Sequence, residues 1–320
     1  MNRPAQDREV LISAMRLEAE GVMALELRAL GADSVPEWQA GAHIDVRLPS
    51  GTVRQYSLCG DPSDRRHLHI AVLREATGRG GSREIHEELR VGQMLAISTP
   101  RNAFALAPAA AYQFVAGGIG ITPILPMILA AERAGVPWHL VYGGRSRASM
   151  AFLERLLPHV GDHVQILPAD EFGLLDLDAI AARAAAGAET YSCGPGVLLD
   201  ALTARFQAQE LGQRLHLERF SAAPLPVAEG EGGELKVILA RSGLEVDVPA
   251  KRSIMHALRD VGIEVPSSCE QGVCGMCETR VLDGVPDHRD MLLTDRERAR
   301  NNVMMVCCSR AKTPTLLLDL

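Results

Sequence analysis

Short alternation of apolar and polar residues marks the first hundred positions of the chain. In the runs 10–15, 43–48 and 67–73 the character changes at nearly every step, and Gly, Pro and Asp stand between the runs. Because the side chains of a strand point alternately to its two faces, this period of two predicts strands with one buried face. We expect an antiparallel barrel or sandwich over residues 1–106.

The pattern changes at Tyr112. An apolar run at 112–117 leads into a glycine-rich turn and a segment with the apolar positions of a buried helix, and a second apolar run follows at 138–144. ETYSCGPG and the residues after it repeat the order of strand, turn and helix. This order predicts a parallel sheet covered by helices, an α/β domain over residues 107–222.

A break in composition separates this region from the last part of the chain. AAPLPVAEGEGG at 222–233 offers little to pack, and we expect a linker over residues 223–233. A predicted hairpin, a helix at SIMHALRDVG and a cysteine-rich loop follow it. Residues 234–320 therefore form a third predicted domain.

Composition narrows the classes of partner and location. With 47% hydrophobic and 23% charged residues the chain is globular, and a net charge of −7 without a basic block disfavours nucleic acid. Acidic residues near the start argue against a signal peptide. Prolines and glycines interrupt the long uncharged run at 102–131, so we expect no membrane span and a cytoplasmic protein.

Five of the seven cysteines lie between Cys269 and Cys308. Cys269, Cys274 and Cys277 form C-x4-C-x2-C, which is the spacing of plant-type [2Fe–2S] proteins, with a fourth ligand far downstream. Glycines inside the loop permit backbone amides to turn toward cluster sulfurs. Cys307 or Cys308 is the fourth ligand. A structural zinc site or a set of unrelated buried thiols is the alternative.

The loop resembles plant-type ferredoxins, in which the last cysteine follows the third after 29 intervening residues. This resemblance implies a β-grasp fold for residues 234–320 and Cys307 as the fourth ligand. The segment CCSRA also resembles the C-x-S-R-A ending of reductase-fused ferredoxin domains. Cys308, one residue later on a predicted strand, would point to the opposite face.

Arg54-Gln55-Tyr56-Ser57, at the end of a predicted strand, resembles the R-x-Y-S signature of the ferredoxin reductase superfamily. The resemblance implies that the arginine meets the flavin phosphate. It also implies that the tyrosine packs on the isoalloxazine ring and that the serine hydrogen-bonds near flavin N5. The alternative is an ordinary barrel tyrosine in a chance match.

A second phosphate signal follows the strands. Gly80, Gly81 and Ser82 precede a predicted helix, so glycine amides and a serine N-cap would stand at its N-terminus. A simple capped turn is the alternative. The two motifs in this order favour a flavin-binding domain.

The turn GGIGITP at 117–123 lies between a strand and a helix, where an α/β sheet binds a dinucleotide pyrophosphate. It departs from G-x-G-x-x-G and resembles the G-G-x-G-[IV]-T-P turn of the same superfamily. We expect cofactor contacts at Gly118, Gly120, Thr122 and Pro123.

Cys193-Gly194-Pro195 resembles that superfamily's C-G-P turn, where the nicotinamide approaches the flavin. Taken alone, Cys193 would more often be an inert buried thiol. Arg145 and Arg147 follow the second strand, where such proteins contact the adenosine end. Solvated loop charges are the alternative.

The ending Leu217-Glu218-Arg219-Phe220 also resembles this superfamily, in which a terminal aromatic can cover the flavin. Core packing of Phe220 is the alternative.

The order of flavin barrel, nicotinamide domain, linker and ferredoxin domain covers essentially the whole chain. It resembles the phthalate dioxygenase reductase family, including reductases of the vanillate O-demethylase type. The resemblance implies an electron-transfer oxidoreductase with FMN, NADH and a [2Fe–2S] cluster that serves a Rieske-type oxygenase. Since the cofactors carry the chemistry, no catalytic acid or base is expected. A monomer suits a carrier that docks reversibly.

Two other functions stay open from the sequence. A freestanding NADH:acceptor oxidoreductase would contain the same redox chain. A zinc-stabilised binding module fused to a degenerate nucleotide domain would contain none. Flavin and iron–sulfur absorption bleached by NADH separates the redox proteins from the zinc protein.

Overall fold

The computed structural model describes residues 8–31, 34–76, 80–220, 233–267, 269–273 and 275–320. Their contacts form two compact units that divide between Arg219 and Phe220. The first unit contains both sheets predicted before the linker. The predicted boundary at 106/107 and the predicted linker stay predictions, and of the linker only Gly233 is described. Within these ranges no helix is long and apolar enough to cross a bilayer.

Six antiparallel strands form the first sheet, in the order β4-β3-β6-β1-β2-β5. The elements are β1 (Arg8–Ala19), β2 (Val22–Ala29), β3 (His43–Arg47), β4 (Val53–Ser57), β5 (His67–Leu73), α1 (Gly81–Glu87) and β6 (Met94–Ile97). A bridge between Leu58 and Ile70 joins the end of β4 to β5. The two edge strands therefore meet, and the predicted antiparallel domain is a barrel rather than a sandwich. Its interior is filled by fully buried aliphatic side chains such as Ile12, Leu27 and Ile44.

Five parallel strands form the second sheet, in the order β11-β10-β7-β8-β9. The elements are β7 (Tyr112–Gly117), α2 (Ile121–Ala134), β8 (Trp138–Gly144), α3 (Leu153–Leu156), β9 (Val164–Pro168), α4 (Ala169–Phe172), α5 (Leu177–Ala185), β10 (Glu189–Cys193), α6 (Gly196–Ala208) and β11 (Leu215–Glu218). This confirms the predicted α/β fold. Every residue of β7 is buried, as expected for a central strand covered on both faces.

The barrel and the parallel sheet contact each other within the first unit. Arg133 on α2 forms a bidentate ion pair with Asp61 of the barrel, with Nη1 at 2.8 Å from Oδ1. Hydrogen bonding to Arg133 is the main cause that lowers the pKa of Asp61 far below its usual range. This ion pair therefore joins α2 to the barrel within the first unit.

The second unit is a five-stranded mixed sheet in the order β13-β12-β18-β14-β16, with a separate pair formed by β15 and β17. The elements are β12 (Leu235–Leu239), β13 (Glu245–Val248), α7 (Ile254–Asp260), β14 (Glu278–Asp283), β15 (Pro286–Asp287), α8 (Asp295–Arg298), β16 (Val303–Met305), β17 (Arg310–Ala311) and β18 (Thr315–Leu318). The first strand, β12, pairs in parallel with the last, β18, and antiparallel with β13. The predicted hairpin, helix and β-grasp fold are confirmed.

Candidate functional site

Arg54 of the R-x-Y-S strand lies directly over the glycines that begin α1. A Cβ atom added to Gly81 would stand 2.7 Å from Arg54 Cγ and 2.8 Å from Arg54 Nε. A larger residue would displace the Arg54 side chain from this position. The two motifs that the sequence linked to a phosphate are therefore adjacent, and a cation stands beside the first amides of a helix.

The start of α1 differs from the sequence prediction in one respect. The N-cap residue is Gly80, which has a left-handed conformation with φ of 88°, and no side chain caps the helix. Ser82 lies inside the helix, and its Oγ accepts a hydrogen bond from the amide of Glu75 at 3.1 Å. The prediction of a serine N-cap is wrong because Gly80 alone adopts the reversed backbone that the turn needs.

The next two side chains of β4 after Arg54 are those of Gln55 and Tyr56. Tyr56 is half-buried against the barrel core, and burial is the main cause that raises the pKa of its phenol. It therefore packs as a barrel residue, and part of its ring stays accessible to a ligand. The amide nitrogen of Gln55 is buried without a hydrogen-bond partner among the described residues. An unsatisfied hydrogen-bond donor beside the two predicted phosphate motifs is consistent with a site for a polar ligand.

We expect Arg54→Gln to weaken FMN binding by about 10- to 100-fold. A hydrogen bond to a charged group contributes about 1.5 to 3 kcal/mol, and each 1.4 kcal/mol is about tenfold in affinity. Fluorescence titration of the flavin-free protein measures this change. Arg65→Gln is the control, because Arg65 pairs with Glu37 at 3.5 Å elsewhere on the surface. Equal FMN affinity in both variants would remove Arg54 from the site.

The two predicted nicotinamide turns touch backbone to backbone. A Cβ on Gly120 would stand 2.2 Å from the carbonyl oxygen of Cys193, and one on Gly194 would stand 3.0 Å from Gly117 Cα. Both turns leave the carboxyl ends of adjacent strands, β7 and β10. This edge is where parallel sheets bind dinucleotides.

The helix after the first turn begins at the glycines themselves. α2 starts after Gly120, and no side chain caps it. Thr122 is buried and its Oγ1 donates to the carbonyl of Ile119 at 3.0 Å, and Pro123 is buried in the first turn. Both therefore shape the turn. The amide of Ile121 already donates to the carbonyls of Gly118 and Ile119, and Pro123 has no amide hydrogen to offer.

Arg145 and Arg147 lie beyond the carboxyl end of β8, at the same edge of the sheet. Arg147 is exposed and pairs with Glu171, with Nη2 at 3.2 Å from Oε2. The exposed side chain of Arg145 makes no hydrogen bond or ion pair with the residues that the structure describes. The contact of either arginine with the adenosine end of the cofactor stays a prediction.

Ser57, Cys193 and Glu218 converge where the barrel meets the parallel sheet. Ser57 Oγ donates to Glu218 Oε2 at 3.5 Å, from the end of β4 to the end of β11. Cys193 is fully buried, and burial is the main cause, followed by the charge of Glu218, that raises the pKa of its thiol. A thiol so buried is no nucleophile.

Glu218 belongs to the ending at 217–220 that the sequence singled out, but only Phe220 of that ending was assigned a role. Burial raises its pKa to about 8, against the smaller opposing effect of the Ser57 hydrogen bond. Its carboxyl therefore keeps its proton to a higher pH than an ordinary glutamate does, beside Ser57, whose contact with flavin N5 stays a prediction. The sequence did contain one signal for this residue. An acidic side chain ends LHLE, a short and mostly apolar strand.

Glu218→Gln will flatten the dependence of stability on pH. Since the folded pKa of about 8 lies above the ordinary glutamate pKa of 4.5, the folded state binds more protons between these limits. The free energy of unfolding of the natural protein therefore falls as pH rises from about 4.5 to about 8, and the glutamine variant lacks this contribution. Thermal unfolding across this range tests it, with the exposed Glu154→Gln as control. Parallel curves for Glu218→Gln and the natural protein would contradict the assignment.

Phe220 is the first residue of the second unit, and 42% of its side chain is exposed. Core packing of this ring, the alternative from the sequence, is wrong. Its role as a flavin cover stays a prediction.

Three of the four predicted ligand thiols come together in the second unit. Hydrogen bonds with the thiols of Cys269, Cys277 and Cys308, in that order, raise the pKa of Cys307 far above its usual range, and burial adds to the shift. The amides of Gln271 and Val273 donate to Cys269 Sγ at 3.3 and 3.4 Å. Cys274 lies outside the described residues.

The loop between these thiols has the backbone that a cluster requires. Gly272 and Gly275 both adopt positive φ, at 73° and 75°. Amides directed at sulfur and thiols gathered at one place suit an iron–sulfur group, whose ligands are anionic and accept N–H bonds.

Cys307 and Cys308 lie in a turn after β16 and not on a strand. The amide of Cys308 donates to the carbonyl of Met305 at 3.2 Å, which closes that turn. The strand argument against Cys308 is therefore wrong. Burial still separates the two residues, because Cys307 is 6% exposed whereas Cys308 is half-buried, with Sγ at 3.7 Å from the Met305 carbonyl.

Comparisons with known proteins agree with this arrangement. The 2Fe-2S iron-sulfur cluster binding domain family matches residues 237–312. The chain is 47% identical over 314 residues to phenoxybenzoate dioxygenase subunit beta of Ectopseudomonas oleovorans, covering 97% of this chain and 96% of that one. It is 43% identical over 320 residues to a vanillate O-demethylase oxidoreductase of Pseudomonas sp. HR199, with 98% and 99% coverage.

A solved structure of phthalate dioxygenase reductase matches with a TM-score of 0.74 and 35% identity, covering 98% of each chain. It is described as a modular structure for electron transfer from pyridine nucleotides to [2Fe–2S].

A flavin barrel, a nicotinamide sheet and a β-grasp unit with a cysteine loop define an NADH-dependent flavin and iron–sulfur oxidoreductase. Its cofactors are FMN, NADH and a [2Fe–2S] cluster. The chain belongs to the phthalate dioxygenase reductase family, the reductase components of multicomponent oxygenase and demethylase systems.

Proposed function

We propose that this reductase receives electron pairs from NADH at the junction of Ser57, Cys193 and Glu218 and delivers single electrons to a Rieske-type oxygenase. The observation that carries the proposal is the convergence of these residues from the barrel and the parallel sheet within one compact unit. When bound, FMN accepts a hydride and releases its electrons one at a time.

The side chains around that junction position the cofactors and exclude water from them. Ser57 orients the reacting edge of the flavin, and Glu218 holds a proton within reach of that serine. Cys193 fills the space behind the nicotinamide, and its burial excludes water. Arg54 and the first amides of α1 fix the flavin phosphate, so that the ring cannot slide.

The two touching turns would hold the dinucleotide. Gly118 and Gly120 let its pyrophosphate approach the start of α2, and Gly194 and Pro195 direct the nicotinamide toward Ser57. Arg145 meets the adenosine end.

The electron leaves through the second unit. Cys269, Cys277 and Cys307, with Cys274 from outside the described residues, hold the cluster. The oxygenase and demethylase names of two relatives support an oxygenase as acceptor. We propose that a monomer docks transiently on it in the cytoplasm, where NADH is supplied.

Absorption spectroscopy of the purified protein tests this function. We expect flavin bands and broad iron–sulfur absorption, both bleached by NADH, and oxygenase turnover only when this reductase is present. Bleaching without support of any Rieske-type oxygenase, together with rapid turnover on free quinones, would favour a freestanding oxidoreductase. A colourless protein that contains zinc would overturn both.

A further inference from the structure

A turn at residues 290–293 packs against the cysteine loop at both of its positive-φ glycines. A Cβ on Gly272 would stand 3.0 Å from Asp290 Cα, and one on Gly275 would stand 3.4 Å from Leu292 Cδ1. The amide of Met291 donates to the carbonyl of Gly272 at 3.0 Å. The shape of the cysteine loop therefore depends on this turn.

The side chain of Asp290 fixes the turn from inside. Its Oδ2 accepts hydrogen bonds from the amides of Leu292 at 3.1 Å and Leu293 at 2.8 Å. The carboxyl group is completely buried, with 0% side-chain exposure. An aspartate that binds the amides two and three residues ahead replaces a backbone turn bond, and this one does so next to the cysteine loop.

Neighbouring segments anchor the turn on its other sides. Arg298 Nη2 donates to the carbonyl of Asp290 at 2.5 Å, and Arg298 is itself placed by α8. A capping box begins that helix, since Thr294 and Glu297 each accept from the other's amide, at 3.3 and 2.8 Å. On the opposite side, the amide of Arg289 donates to Ser309 Oγ at 3.1 Å, two residues after Cys307.

The charge of Asp290 is only partly neutralised. The Arg298 guanidinium stands 3.9 Å from Oδ2, and Oδ1 has no hydrogen-bond partner among the described residues. His288 is buried nearby, with Nδ1 at 3.8 Å from Oδ1 and neither ring nitrogen hydrogen-bonded within those residues. A buried, incompletely paired carboxylate costs stability, and its field is weakly screened.

We propose that Asp290 is a positioning residue for the iron–sulfur centre: its turn holds the cysteine loop, and its buried carboxylate lowers the reduction potential of the cluster. The inference rests on the proposed function, because it requires the cluster. A negative charge beside the loop disfavours the arrival of an electron, and the charge around a cluster is one of the quantities that set its potential. The positive charge of Arg298 raises the reduction potential of the cluster.

Substitutions of Asp290 and Arg298 test both parts of the proposal, the effect of charge on the potential and the positioning of the cysteine loop. Asp290→Asn keeps an oxygen for the two amides and removes the charge, so we expect normal iron content and a higher cluster potential. Arg298→Gln, at a half-buried side chain, should shift the potential downward. For each, a tenfold or larger change in the equilibrium constant for reduction is expected, which is about 59 mV for one electron. Asp290→Ala also removes the acceptor and should lower iron content at least twofold.

Asp287→Asn is the matched control, since Asp287 pairs with Arg289 at 2.7 Å at a half-exposed position. Its potential should equal that of the natural protein. Redox titration followed by electron paramagnetic resonance, with iron analysis, gives both quantities. Potentials that move in the same direction in Asp290→Asn and Arg298→Gln, or that do not move, would overturn the electrostatic part. Full iron content in Asp290→Ala would overturn the positioning part, whereas a natural protein without iron would overturn the proposed function itself.

Discussion

Cys307→Ser will remove electron transfer from NADH to one-electron protein acceptors such as cytochrome c, by about 100-fold or more. Loss of an outer contact to a metal ligand already costs about 10- to 100-fold in metal affinity, and loss of the ligand itself costs more. The first unit is untouched, so NADH-dependent reduction of ferricyanide by the flavin should continue. Steady-state assays with both acceptors, together with iron analysis, measure the difference.

Cys308→Ser is the matched control for this ligand. The Cys308 side chain is half-buried, and its Sγ lies 3.7 Å from the Met305 carbonyl, a contact that serine retains as a hydrogen bond. We expect cluster content and cytochrome c reduction close to those of the natural protein. If Cys308→Ser loses iron and Cys307→Ser keeps it, the ligand assignment is reversed.

Gly120→Ala will disrupt the nicotinamide site and destabilise the first unit. The new methyl group would stand 2.2 Å from the carbonyl oxygen of Cys193 and 2.7 Å from the amide nitrogen of Gly194, and neither backbone atom can rotate away. Overpacking of this kind costs about 1 to 3 kcal/mol. Because the two turns must separate, kcat/KM for NADH should fall at least about tenfold, or about 1.4 kcal/mol.

Urea unfolding and the rate of flavin reduction by NADH check these two effects. Gly212→Ala provides the control, because its Cβ would meet no atom within 4 Å and its φ is not in the left-handed range. We expect this variant to behave like the natural protein. Unchanged NADH kinetics in Gly120→Ala would show that the contact between the turns has no part in binding.

The sequence predicted the three folds because each had its own periodicity. Alternation with period two gave the barrel strands, as in β5, and an apolar run with a glycine turn gave β7 and α2. Closure of the barrel was not readable, since the bridge between Leu58 and Ile70 depends on the twist and register of the strands and not on the period of the pattern.

The residues of the site were predictable where spacing or backbone conformation restricts the amino acid. Gly81 and Gly120 occupy places that a Cβ would fill, so the glycines themselves carried the signal. Glu218 had no such mark, because its raised pKa arises from burial against a sheet of the other fold. The serine N-cap failed for a similar reason: Ser82 found its partner in Glu75, which lies seven residues earlier.

The burial of Cys193 determines how this protein ages under oxidising conditions. Peroxides attack exposed thiolates, and Cys193 is neither exposed nor readily ionised. Cys269 and Cys308, by contrast, are partly accessible to solvent. Damage will therefore begin at the iron–sulfur end, and an aged molecule will still pass electrons from NADH to a small acceptor such as ferricyanide after it has lost the ability to reduce a protein acceptor.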